Sequence, residues 1–194
     1  MSSGRILFTS DTHFGHTNII GSCGRPFENI DEMNEVLIDN WNKKVNDDDD
    51  VYIMGDFAYR SREHAGKYAE RLKGRKHLLI GNHDYNWMKN VKDTSKYFVS
   101  VAHMDLISID KHLITLTHYP MIEWNRSRYA NDQATSTSWL IHGHIHNDRE
   151  GMAYEHIRAH QPCALNAGVD INNFEPVTFE ELLENNNRWY GRTL

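Results

Sequence analysis

Five short segments carry side chains that bind cations: Asp11-Thr12-His13, Gly55-Asp56, Gly81-Asn82-His83-Asp84, Thr117-His118 and Gly143-His144-Ile145-His146. The chain holds 13 histidines, more than packing alone explains, and five of them lie in these segments. A mixed set of carboxylate, imidazole and amide donors suits Zn, Mn, Fe, Co or Ni better than Mg or Ca, which prefer all-oxygen shells. In Asp11-x-His13 and His144-x-His146 the period of two puts both side chains on one face of an extended backbone, so each pair can grip one centre or two adjacent ones. Glycines 55, 81 and 143 would let the chain turn sharply and let a substrate approach the backbone.

Each segment follows a strand-like run. Arg5 to Ser10 is short, apolar and β-prone and delivers Asp11; Val51 to Met54 delivers Asp56; His77 to Ile80 delivers Asn82. Between them, Ile30, Met33, Leu37, Trp41 and Val45 recur every three or four positions behind Asn29 and Asp31, which predicts a capped amphipathic helix over 29–45. The acidic run Asp47 to Asp50 ends it and reads as a solvated turn, since it lacks the spacing of a calcium loop. Arg62 to Leu72 reads as a second helix closed by Gly74, giving β-α-β order. Val99 to Ile109 and His112 to Thr117 flank Asp110-Lys111, a hairpin signal that introduces antiparallel pairing and excludes a purely parallel sheet. Trp139 to His142 and Cys163 to Asn166 supply further strands, and Thr178-Phe179-Glu180-Glu181 is a capping box opening a last helix. Open α/β sheets bind ligands at the carboxyl ends of their strands, where five of these segments fall.

The bulk properties fit a single domain over residues 1–194, with 39% hydrophobic and 25% charged residues. The first apolar run is too short for a secretion signal or a membrane span. Two cysteines, Cys23 and Cys163, form no disulfide framework, so a reducing cytoplasm is the expected compartment. A formal charge of −6 weighs against a nucleic-acid polymer and toward a small partner.

The ordered blocks D-x-H, G-D, G-N-H-D, a later histidine and G-H-x-H resemble those of the calcineurin-like metallophosphoesterases, and the D-T-H-F-G-H opening is similar to the small bacterial and phage members. The resemblance implies an α/β sandwich: mixed central β-sheets, two of them facing, flanked by helices. It implies two divalent transition-metal ions, with manganese among the candidates. Asp11, His13, Asp56 and His146 would hold one, and Asp56, Asn82, His118 and His144 the other, Asp56 bridging. Hydrolysis of a phosphate mono- or diester would follow from a hydroxide bound between the ions. His83 would contact the phosphate and assist the leaving group, and Asp84 would orient His83. The substrate would be a small phosphorylated molecule such as a nucleotide.

Other residues are placed more loosely. His16 is a candidate to face the substrate phosphate, and Arg25, with Arg60, Arg126 and Arg128, a candidate to clamp it. His142 reads equally as a support for the site or as structure. Met121 to Ser138, between two ligand blocks, is a candidate lid or specificity loop, and Asn166 to Asp170 a structural closure of the sheet. His64, His77, His103, His112, His156 and His160 receive no role. A metallo-β-lactamase-type motif fails because Arg149 stands where a histidine is needed, and an amidohydrolase barrel would need a longer chain. The remaining alternative is a phosphoesterase-like binding scaffold without catalysis, which should lack several ligands.

Overall fold

The computed structural model describes residues 4–61, 64–91 and 93–192. In chain order the elements are β1 (Ile6–Thr9), α1 (Thr17–Cys23), α2 (Ile30–Lys44), β2 (Asp50–Ile53), α3 (Ala65–Arg71), β3 (Arg75–Leu79), α4 (Asp84–Met88), β4 (Ser100–Ala102), β5 (Met104–Ile109), β6 (His112–Thr117), β7 (Ser138–His142), α5 (Met152–His160), β8 (Ala164–Asn166) and α6 (Phe179–Tyr190). Among the described residues, no helix is long and apolar enough to cross a membrane.

The strands form two four-stranded sheets, β1-β2-β3-β4 and β5-β6-β7-β8. The first is wholly parallel. In the second, β5 and β6 pair antiparallel about the Asp110-Lys111 turn, while β6, β7 and β8 run parallel. Period-two alternation divides the side chains of β1 between two environments. Leu7 packs with Val51, Leu78, Met33, Leu37 and Trp41 under α2, whereas Phe8 meets Ile114, Leu116, Ile141 and Leu165 of the other sheet. On the far face of the second sheet, Leu140 and Ala164 pack against Tyr154, Ile157 and Tyr190 of α5 and α6. The result is the expected α/β sandwich, helices outside and two sheets face to face.

Local chemistry accounts for the helix ends. Asn29 caps α2 by accepting from the Glu32 N–H at 2.9 Å, with Asp31 and Glu32 in its first turn and Lys43 and Lys44 in its last, matching the helix dipole. Thr178 and Glu181 form the capping box of α6. Two expectations need correction. Val99 to Ile109 is not one strand: β4 and β5 belong to different sheets and the chain crosses over at His103. The acidic run is not simply solvated, because Asp49 is 3% exposed. Its carboxylate accepts from the Arg5 backbone N–H (2.8 Å), the Arg5 guanidinium (2.7 Å) and the Asn46 N–H (2.9 Å), clasping the start of β1 to the start of β2.

Burial alone would raise the Asp49 carboxyl, but these donors outweigh it and hold it at about 2, below its ordinary 3.8. A depressed acid stabilises the fold above its unfolded value, and that contribution disappears as pH falls through the folded one. Asp49→Asn is therefore expected to lower stability by about 2 kcal/mol at pH 7. In urea unfolding, the gap between variant and parent should close between about pH 4 and pH 2.

Candidate active site

The carboxyl ends of β1, β2, β3, β6 and β7 meet along one edge shared by both sheets, and the five segments sit there. The structure brings Asp11, His13, Asp56, His83, His118 and His146 into overlapping groups whose ligand atoms lie within 4.8 Å of one another. Asp56 Oδ2 is 3.5 Å from His13 Nε2, 3.6 Å from His118 Nε2 and 3.9 Å from His83 Nε2, and His146 Nε2 is 3.7 Å from Asp11 Oδ1. Asn82 Oδ1 is 3.0 Å from His118 Nε2. His144 flanks the group with its ring 5.0 Å from that of His118.

Pleating does not produce this convergence. Asp11, His13, Asp56, His144 and His146 all have positive φ, between 48° and 72°, so neither D-x-H nor H-x-H is extended as expected. Left-handed backbone costs a non-glycine residue on the order of 1–3 kcal/mol and persists only where surroundings enforce it. Here they do. Asp11 N–H donates to Gly55 O at 3.0 Å and His13 N–H to Asp56 O at 3.0 Å, zipping the two loops together. The glycines serve the same approach rather than a substrate's. Gly55 has φ +87°, and a Cβ there would lie 2.6 Å from His118 Nδ1; a Cβ on Gly143 would lie 2.5 Å from Asp11 Oδ2.

Asp84 was expected to orient His83, and the structure corrects this. Among the described residues Asp84 has no hydrogen bond to His83. Its two oxygens accept from the backbone N–H groups of Asp56 (2.8 Å), Phe57 (2.9 Å) and Gly81 (2.9 Å) and from Trp87 Nε1 (2.8 Å). Buried at 0% exposure, it ties the Gly55-Asp56 loop to the Gly81-Asn82 loop. Burial pushes its carboxyl up to about 6 despite those donors.

Arg25 is likewise corrected. Its side chain is 0% exposed and bonds Asp170 at 2.8 Å, Asp11 O at 2.7 Å and Thr12 O at 3.1 Å, leaving it no reach toward a phosphate. Asp170, read from sequence only as part of a structural segment, accepts from His146 Nδ1 at 2.9 Å. Arg25 and Asp170 thus position His146. No local motif marks Asp170, whose two partners lie 145 and 24 residues away. The 121–138 segment is not a lid over this edge. Trp124 Nε1 donates to Ser138 Oγ at 3.0 Å, and Gln161 Nε2 to the carbonyls of Met121 and Ile122, which pins the segment beside the start of β7. That end is about 13 Å along the strand from His142. His16 does border the site: its Nδ1 is 3.2 Å from His13 Nδ1 and its ring packs on Tyr59 and His83. His142 is fully buried behind Gly143, and burial lowers it to about 4.

The donor set fits a cation. Asp11 Oδ1 and His13 Nε2 are buried without a hydrogen-bond partner, an expensive state unless an ion completes them. Burial, then the neighbouring Asp11, raises the Asp56 carboxyl, and burial, then His146, holds His13 well below its ordinary value, in the neutral form a metal needs. Burial would lower His146 too, but Asp11 and then Asp170 raise it to about 11, so the cluster's negative charge draws positive charge inward.

A model of the calcineurin-like phosphoesterase superfamily domain matches residues 5–169. An uncharacterized protein of Methanocaldococcus jannaschii is 33% identical over 186 residues, covering 95% of this chain and 92% of that protein. The gene 66 protein of Mycobacterium phage L5 is 27% identical over 183 residues, covering 84% and 85%. Among solved structures, a protein of unknown function from Aquifex aeolicus matches with a TM-score of 0.69 at 29% identity, over 93% of this chain and 98% of that one. The chain belongs to the calcineurin-like phosphoesterase superfamily.

The Asp84 network makes a direct prediction. An amide cannot accept four N–H donors, so Asp84→Asn leaves at least one buried donor facing another. It should destabilise the protein by about 3 kcal/mol in urea unfolding.

Proposed function

We propose that the protein hydrolyses phosphate mono- or diesters of a small or nucleotide-like substrate, using two divalent transition-metal ions. The observation that carries this reading is the single oxygen Asp56 Oδ2, within 3.6 Å of both His13 Nε2 and His118 Nε2 and so placed to be shared between two groups of donors. Asp11, His13, Asp56 and His146 would hold one ion, and Asp56, Asn82, His118 and His144 the other; Mn, Fe, Zn, Ni and Co all suit such donors. Ions held by these residues would supply polarisation of the phosphoryl oxygens and a more acidic water at neutral pH.

The chain's own groups do the rest. His83 stands at the open rim, its side chain 31% exposed and its backbone N–H anchored to Asp56 Oδ1 at 2.8 Å. Its ring packs edge-on against Tyr59 at 4.2 Å, so it reaches a bound phosphate with a set orientation and can give a proton to the leaving oxygen. Burial, then the nearby His83, lowers His16 to about 4, so at neutral pH His16 offers the phosphate a hydrogen bond and no charge. A scaffold without catalysis is disfavoured by a complete donor set with His83 beside it.

The two roles separate by mutation. Asp56→Ala should lose at least one metal equivalent by elemental analysis. His83→Ala should keep both metals yet lose at least about a hundredfold in kcat on p-nitrophenyl phosphate or its bis ester. No turnover of either ester with any divalent metal at full occupancy would favour the scaffold.

A further inference from the structure

Beyond His146 the chain turns away from the ligand edge and, before entering α5, borders an open cleft of about 850 Å³ that His144 and His146 line at one end. That volume lies in the range of small-molecule sites. Pro120, Ile145, Met152 and Tyr154 supply its apolar surface. The frame is tied down: Asn147 Nδ2 donates to Cys23 O at 2.8 Å, and Asp148 Oδ1 accepts from the N–H groups of Glu150 at 2.8 Å and Gly151 at 3.1 Å.

Charge narrows what can enter. Asp148 and Glu150 stand in the wall, and the cation there, Arg149, lies 4.0 Å over the Trp189 ring. A second phosphate or a nucleic-acid strand would meet two carboxylates against one guanidinium that is already stacked on an indole, a lining with a net negative charge. An uncharged flat group would instead cover Met152, a polarizable side chain left 90% exposed at the cleft.

We infer that this cleft seats an uncharged, aryl-sized organic substituent of the substrate, so that the phosphate at the histidine edge carries an aromatic group and not a further anion. The inference rests on the phosphoesterase reading for the placement of the phosphate. It makes Met152 a specificity residue and excludes pyrophosphate and polynucleotide as preferred substrates.

Phenylphosphonate and methylphosphonate, which have no ester to hydrolyse, test the seat on zinc-loaded protein by calorimetry and by methyl NMR of labelled methionine. Phenylphosphonate should bind at least about tenfold tighter than methylphosphonate and should alone shift the Met152 methyl resonance. Ala153→Trp, which puts a bulky side chain into the cleft wall beside Met152, should bring the affinity ratio near one. Met152→Ala, at an exposed position that leaves the core intact, should cut the ratio at least about threefold. Equal affinities in the parent protein, or a Met152 resonance unmoved at saturation, would overturn the inference. Aryl preference without ester turnover would remove the hydrolytic reading and leave the seat, while turnover without the preference would remove the seat alone.

Discussion

The site depends on one recurring constraint: Asp11, Asp56, His118 and His146 each spend one polar atom on the protein and leave the other aimed at a common space. Asp11 Oδ2 accepts from His144 N–H at 3.0 Å, which leaves Oδ1; Asp56 Oδ1 accepts from His83 N–H, which leaves Oδ2. His118 Nδ1–H donates to Met54 O at 2.7 Å and His146 Nδ1–H to Asp170, so in both rings Nε2 faces inward. Half-tethering settles tautomer and orientation before any ion arrives.

These tethers cross between loops, and so they also enforce the backbone. A left-handed aspartate or histidine is a local liability. Five in one site persist because the Asp11-Thr12-His13 loop is bonded to the Gly55-Asp56 loop, that loop, through Asp84, to Gly81, and the Gly143–His146 loop to Asp11 Oδ2 and Asn166 Nδ2. Asp84 therefore does more for the site's shape than a partner of His83 would. It holds two ligand-bearing loops at a set separation, which determines where Asp56 Oδ2 lies. Arg25 plays the matching part on the other flank, binding the Asp11 and Thr12 carbonyls and delivering Asp170 to His146.

What could be read from the residues divides along the range of the interaction. Asn29 as a cap, the Asp110-Lys111 hairpin and the Thr178–Glu181 capping box are local, and each appears where the pattern placed it. The gathering of ligand types at strand ends was legible as well, because carboxylate, imidazole or amide residues directly follow five strand-like runs. The sheet boundary at His103 was not: both flanking runs are β-prone, and only tertiary pairing assigns them to different sheets. Helix α1, seven residues with no side-chain cap, left no periodic trace. Arg25 looked like a phosphate clamp because exposure is invisible in a sequence, and its burial against a residue 145 positions away is what removes that role.

Placement of the donors across two sheets has an energetic consequence. His13 reaches Asp56 from the end of β1, and His118 reaches it from the end of β6, so the shared oxygen lies over the seam between the sheets. The separation of those histidines is set by the core beneath the seam, where Phe8, Met54 and Leu79 of one layer meet Ile114, Leu116 and Ile141 of the other. Close packing makes such a spacing stiff, since removing even one methylene group there is felt by the neighbours. The hydrophobic core between the sheets is thus the ruler for the polar site above it, and a change in its volume would be read first as a change in the distance between the two donor groups.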